Sequence, residues 1–203
     1  MGDGVIKIKK RVLFIVLAFL VLIGFLIFSY SKTSIYIVNQ NAEFEELEAK
    51  FAVLSQARTN ACGGGKTYIS QLSADGTRIQ GSCCSAMNFH RYTEQIEGLK
   101  KYSEHETIPK DPYDVSAEWA EEMIAYTENK VLTGEQQKTY DDAVELSHEK
   151  GPCCCKCWHW YAYEGLAKKL IIEYDFTAEQ IAEIWDLSDA CGGSGHIEGV
   201  EGH

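Results

Sequence analysis

A long apolar segment near the N-terminus is the strongest hydrophobic pattern in the chain. Val12–Ser31 holds 20 residues without a charge, which suits a helix that crosses a hydrocarbon core about 30 Å thick. Four cations precede the segment, whereas only Lys32 follows it closely. Because cationic residues favour the cytoplasmic side, the pattern predicts a cytoplasmic tail over 1–11, a transmembrane helix over 12–31 in contact with the lipid bilayer, and an extracytoplasmic C-terminal part.

A cleaved signal peptide is the alternative interpretation of this apolar segment. The run is longer than the core of a usual signal peptide, and no pair of small residues marks a cleavage site after it. We therefore expect an uncleaved anchor that crosses the cell membrane once, with its N-terminus in the cytoplasm.

Beyond the anchor, apolar residues recur with the 3.6-residue period of helices. A helix over 39–57 is predicted to form most of a stalk assigned to 32–58, and a domain over 59–203 follows. Further helices are predicted over 83–103, 116–129, 133–148, 157–174 and 177–185, with a short strand considered for the loop at 67–72. The predicted fold class is all-α: one transmembrane helix followed by a small cysteine-rich domain of about five helices.

Polar residues mark three of these helix starts. Ser116 is a suitable N-cap, and Thr133 and Thr177 each stand three residues before a glutamine, which is the spacing of a capping box.

The net charge limits the classes of partner. The chain carries −11, and beyond Ser31 it holds 15 Lys and Arg against 29 Asp and Glu, so the predicted outer domain is near −14. This excess argues against nucleic acid and anionic lipid surfaces as partners.

The chain has no Cys-x-x-Cys-His motif, phosphate loop or acid–base pair. We therefore expect neither haem nor nucleotide, and a binding role is favoured over an enzyme. The identity of any protein partner stays open.

Eight cysteines fall in the predicted outer domain, at positions 62, 83, 84, 153, 154, 155, 157 and 191. An even number of cysteines in an exported domain first suggests disulfides. Four of them, however, lie within five residues, and disulfide geometry rarely allows neighbouring cysteines to bond each other. Pairing each of the four with a distant cysteine would give a crowded knot.

Soft-metal ligation is the alternative use of these thiols, because thiolates bind copper and zinc and closely spaced cysteines supply several ligands from one loop. The candidate ligands in the cluster are Cys153, Cys154, Cys155 and Cys157. Cys154 and Cys157 form a Cys-x-x-Cys at a predicted helix start, where the helix dipole favours the thiolate. Cys62 and Cys191 are additional candidate ligands or disulfide partners, and His159 is a weaker candidate ligand.

A second group of candidate ligands comprises Cys83, Cys84, Met87 and His90. If a helix begins near Cys83, then Cys83, Met87 and His90 share one face, and this combination of side chains is typical of copper sites. Alternatively, Asn88 caps the helix and Met87 packs as an ordinary hydrophobic residue.

The segment Pro152–Cys157 resembles the family of exported, cysteine-rich bacterial proteins named for a Pro-Cys-Tyr-Cys-Gly-Cys motif. Here Cys154 stands in the place of the tyrosine and Lys156 in that of the glycine. The Cys-x-x-Cys that leads into a helix, and the short second helix from Thr177, are also similar. The resemblance covers the last quarter of the chain and implies an exported helical module without implying a reaction.

Three functions are compatible with these patterns. The favoured hypothesis is a membrane-anchored protein that captures or buffers copper, or zinc, through clustered thiolates. The second is a disulfide-clasped structural module that binds a partner protein. The third is a thiol–disulfide redox protein in which Cys154 and Cys157 exchange.

Overall fold

The computed structural model describes residues 10–72 and 76–192, and among residues 10–39 it describes only part of the side chains. Residues 1–9, 73–75 and 193–203 lie outside the described part, and with them most of the predicted cytoplasmic tail. The contacts of the chain divide it into a first unit that ends at Leu47 and a second that begins at Glu48. The domain limits predicted from the sequence stay predictions.

The first unit consists of a single helix in its described part. This helix, α1, runs over Lys10–Leu54 and so contains most of the helix predicted over 39–57. Its large apolar side chains described between Leu17 and Phe28 are at least 41% exposed. Within residues 10–72 and 76–192, no helix combines the length and the apolar character that a bilayer span requires. The transmembrane segment over 12–31 stays a prediction.

The second unit is built mainly from helices, as the predicted all-α class requires. Its elements after α1 are α2 (Thr67–Ser70), β1 (Arg78–Gln80), α3 (Phe89–Leu99), a 3-10 turn (Lys100–Tyr102), β2 (Asp114–Ser116), α4 (Ala117–Asn129), α5 (Gly134–Leu146), α6 (Trp158–Tyr174) and α7 (Ala178–Leu187). The two short strands form an antiparallel sheet in which Ile79 pairs with Val115. The sequence pattern did not predict this sheet, because three-residue strands are too short to show alternation.

The three predicted caps are confirmed. The Ser116 side chain accepts a hydrogen bond from the backbone N–H of Trp119 at the start of α4. Thr133 and Thr177 form complete capping boxes with Gln136 and Gln180. These caps satisfy backbone N–H groups that a helix start leaves unpaired, so the local sequence is sufficient to fix where the helices begin.

Two local predictions are wrong. The helix predicted to begin at Cys83 begins at Phe89, because Asn88 has an extended backbone and its side chain accepts a hydrogen bond from the N–H of Arg91. The short strand considered at 67–72 is instead the single helical turn of α2.

The core of the second unit lies where α4 packs against α6. Gly165 permits this close approach, because a Cβ at that position would lie 1.8 Å from the carbonyl oxygen of Met123. Trp158, Tyr163 and Leu166 of α6 are fully buried in the same core. The loop that carries four of the cysteines leads directly into α6, so this helix gives the cluster a rigid base.

The last turns of α1 belong to the second unit. Leu54 is 1% exposed, and the ring of Phe51 lies 5.0 Å from that of Phe89 and 5.7 Å from that of Tyr92. Lys50 forms an ion pair of 2.8 Å with Asp111. The compact part of the protein therefore includes the end of α1.

Candidate metal centre

All eight cysteines lie in the described part of the chain as free thiols, and they form one network of sulfur atoms. They come from four segments: the loop after α1, the loop after β1, the loop before α6 and the residues after α7. The sulfur–sulfur distances are 2.7 Å for Cys62–Cys84, 3.8 Å for Cys83–Cys84, 3.6 Å for Cys83–Cys191, 3.3 Å for Cys153–Cys191, 3.1 Å for Cys154–Cys191 and 3.8 Å for Cys62–Cys155. Cys157 joins the network through a set of three thiols with Cys62 and Cys155, which lie within 4.8 Å of one another.

Asn60 holds three of the four segments together. Its side-chain amide donates to the carbonyl of Gly81 at 2.8 Å, and its side-chain oxygen accepts from the indole N–H of Trp158 at 3.0 Å. Asn60 is 6% exposed, so these hydrogen bonds are shielded from water. One side chain thereby fixes the segment of Cys62 against the loop of Cys83 and the first residue of α6.

The segment of Cys191 is attached to the loop of Cys83 through the backbone. The N–H of Cys83 donates to the carbonyl of Ala190 at 3.0 Å, and the N–H of Ser85 donates to the carbonyl of Cys191 at 2.9 Å. The Asp189 carboxylate accepts from the N–H of Cys191 at 3.0 Å. These bonds place Cys191 at the centre of the thiol network.

The thiols differ in exposure. Cys153 and Cys157 are each 1% exposed, whereas Cys84 and Cys154 are exposed to solvent and the other four lie between these extremes. The network therefore has a buried end at the start of α6 and an exposed end at the surface.

Hydrogen bonds among the thiols set their pKa values unequally. Bonding from Cys157 lowers the pKa of Cys153 to about 5, and bonding from Cys153 and Cys83 lowers the pKa of Cys191 to about 6. The pKa of Cys83 is raised, chiefly because its thiol donates to Cys153. Burial is the main cause of the raised pKa values of Cys62, Cys154 and Cys155. The thiolate is the form that binds metals, and the lowered pKa values make Cys153 and Cys191 the thiols most readily available in that form.

His159 lies buried beside the thiol network. It is 0% exposed, its ring stacks on Tyr163 at 4.1 Å, and neither ring nitrogen has a hydrogen-bond partner of normal geometry in the described part of the chain. Burial is the largest single influence on the pKa of His159 and lowers it, but the interactions with Cys153, Cys157 and Asp189 outweigh burial and raise the pKa. A buried imidazole that adjoins thiols and makes no hydrogen bond of normal geometry is a weaker candidate ligand for a metal ion at those thiols.

The other two non-cysteine candidates are placed differently. The side chain of His90 is 83% exposed and lies 3.1 Å from the Glu94 carboxylate, outside every set of three candidate ligands found in the described residues. Met87 is half-buried in the loop before the Asn88 cap. Because α3 begins only at Phe89, Cys83, Met87 and His90 do not share a helix face.

Sequence reasoning missed Asn60 and Asp189. The sequence contains a local repeat, Ala-Cys-Gly-Gly, at Cys62 and again at Cys191. Extending it by one residue toward the N-terminus reaches Asn60 in one copy and Asp189 in the other, and both are 6% exposed. The sequence signal that could have identified both residues was therefore a hydrogen-bond acceptor two positions before each cysteine of the repeat.

Comparisons of this chain with protein families, with curated proteins and with solved structures find no match. The resemblance to the Pro-Cys-Tyr-Cys-Gly-Cys family stays a prediction.

Proposed function

We propose that this protein binds soft metal ions, Cu(I) above all and zinc as the alternative, through its clustered thiolates. The observation that carries the proposal is the convergence of eight free thiols from four separate segments. Thiolates prefer soft cations such as Cu(I), and a set made of thiols alone favours them over magnesium or calcium. The role is capture or buffering of the ion.

The spacing of the sulfur atoms supports metal ligation. A metal with metal–sulfur bonds of about 2.3 Å holds two sulfur ligands about 3.8–4.0 Å apart. The thiols of Cys83 and Cys191 are 3.6 Å apart, and those of Cys62 and Cys155 are 3.8 Å apart. Small movements of the side chains are enough to bring such pairs onto a shared ion.

An iron–sulfur cluster fits this network less well than metal ions bound by cysteine thiolates alone. Such a cluster places inorganic sulfide between its cysteine ligands, which separates their sulfur atoms. Here the sulfur of Cys191 lies 3.3 Å from that of Cys153 and 3.1 Å from that of Cys154. These distances leave no room for an inorganic sulfide between the cysteine sulfur atoms.

A disulfide is the second candidate role for one pair. The sulfur atoms of Cys62 and Cys84 lie 2.7 Å apart, which is the shortest of the sulfur–sulfur contacts among the described residues. Oxidation of this pair would clasp the loop after α1 to the loop after β1. A disulfide there would leave the other six thiols available.

The proposal is tested by metal content and thiol count of the full-length chain, purified in detergent without oxygen. We expect copper bound in a fixed ratio, with thiols that become reactive only after a Cu(I) chelator removes the metal. The His90→Ala variant is the matched control and should bind as much copper as the wild type. A metal-free protein with all eight cysteines oxidised would contradict the proposal and favour the disulfide clasp.

We also propose that the N-terminal segment anchors the protein in a membrane, as its uncharged run over 12–31 suggests. The exposed apolar side chains of α1 between Leu17 and Phe28 support this proposal, because water-facing apolar surface of that extent is unfavourable. We expect the protein to stay in the membrane pellet after alkaline carbonate washing and to require detergent for release. Complete release by carbonate would contradict the anchor.

A further inference from the structure

The thiol network connects solvent to the interior of the second unit. Cys84 and Cys154 are exposed at one end, and Cys153 and Cys157 are buried at the other. Cys191 joins the two ends, because its sulfur lies 3.1 Å from that of Cys154 and 3.3 Å from that of Cys153. An ion bound at the surface can therefore move inward by exchanging one thiolate at a time.

The network also contains enough ligands for more than one ion. Two sets of three thiols share no member, and in each set the sulfur atoms lie within 4.8 Å of one another: Cys62 with Cys155 and Cys157, and Cys84 with Cys154 and Cys191. Three sulfur ligands around one ion lie about 4.0 Å apart when the bonds are about 2.3 Å. Each set therefore suits one three-coordinate ion.

The two remaining thiols lie between these sets. The sulfur of Cys83 lies within 4.8 Å of those of Cys62 and Cys84, and the sulfur of Cys153 lies within 4.8 Å of those of Cys154 and Cys155, so each adjoins a member of both sets. Thiolates in such positions can bridge two ions. A single tetrahedral ion would use four ligands and leave four of the eight thiols unused.

The geometry points to a polynuclear Cu(I) centre of two or more ions, in which Cys84, Cys154 and Cys191 form the site where copper is exchanged with a carrier. This inference rests on the proposed function. The partner is a molecule that presents Cu(I) on its own thiolates. It approaches the exposed end, whereas the buried end retains copper.

The exchange step balances without any redox reagent. A bond forms between the sulfur of Cys84 or Cys154 and the copper ion as a bond between copper and a carrier thiolate breaks. The thiol proton of the cysteine passes to water, and the released carrier thiolate takes up a proton. Copper remains Cu(I) throughout, and no electron is transferred.

The test uses the full-length chain in detergent without oxygen, loaded from the Cu(I)–glutathione complex. Copper per chain and the rate of copper removal by bathocuproine disulfonate are measured. The exposed pair is changed in Cys84→Ser/Cys154→Ser, and the buried pair in the matched variant Cys153→Ser/Cys157→Ser. Near-ultraviolet circular dichroism verifies that each variant is folded, and limited alkylation of the exposed thiols in the copper-free wild type repeats the test without substitution.

We expect two or more copper ions per wild-type chain. The exposed-pair variant should bind fewer copper ions than the wild type. It should also release copper at about one tenth of the wild-type rate, because exchange then requires local opening of the loops. The buried-pair variant should keep the fast exchange but bind less copper. A wild-type ratio of one, or equal release rates for the wild type and the exposed-pair variant, would overturn the inference while leaving the proposed function intact. A wild type that binds no copper would overturn both.

Discussion

Removing copper from the loaded protein with a Cu(I) chelator is expected to lower its unfolding midpoint by roughly 8–16 °C. A ligand held at about a thousand times its dissociation constant stabilises the folded state by about 4 kcal/mol. In a domain of this size, each kcal/mol shifts the midpoint by about 2–4 °C. The effect is expected to be large because each bound ion would join distant segments: one set of candidate ligands runs from Cys62 to Cys157 and another from Cys84 to Cys191.

Thermal unfolding followed by circular dichroism, with and without the chelator, measures this difference. The His90→Ala variant serves as the control and should show the same decrease, because His90 lies exposed on α3 and pairs with Glu94. The chelator should leave the midpoint of protein prepared without metal unchanged. Equal midpoints for loaded and stripped protein would show that the ion does not join the segments.

The substitution Gly192→Ala is expected to destabilise the protein by about 2 kcal/mol and to weaken Cu(I) binding roughly tenfold or more. Gly192 has a φ of 102°, where side chains other than glycine are strained, and a Cβ would lie 2.3 Å from the carbonyl oxygen of Ser85. To relieve this contact, the segment of Cys191 must move away from the loop of Cys83. Since Cys191 is central to the network, several sulfur–sulfur contacts are lost together.

Gly63→Ala is the matched control, because Gly63 follows Cys62 just as Gly192 follows Cys191. A Cβ at position 63 would meet no atom within 4 Å. Urea unfolding and copper titration of both variants should therefore separate them, with Gly63→Ala close to the wild type in both measurements. Equal behaviour of the two variants would mean that the contact between the segments of Cys191 and Ser85 does not hold the thiol network together.

Much of the helical pattern followed from the sequence because the signals for helix starts are local. Ser116, Thr133 and Thr177 cap their own helices through backbone groups three residues away, so no distant contact is needed to place them. The start of α3 was misplaced because the apolar period beyond Phe89 was extended back to Cys83. The cap at Asn88 was the stronger signal.

The sheet and the supports of the site were harder to predict. Each strand pairs only three residues, and its partner lies more than thirty residues away. Asn60 is a buried amide in a loop, and nothing in its neighbourhood reveals that it bonds to Gly81 and Trp158. Such bonds depend on how the segments pack, which the local pattern does not encode.

By itself, the sequence determined the mainly helical class of the protein, most helix starts and the supply of eight thiols. The tertiary structure alone decided which thiols meet: it joined Cys62, Cys83 and Cys191 to the cluster before α6 and left His90 exposed on α3. The physical reason is the range of the interactions. Capping and periodicity act over a few residues, whereas the thiol network is assembled by packing between segments more than a hundred residues apart, as in the contact between Cys83 and Cys191.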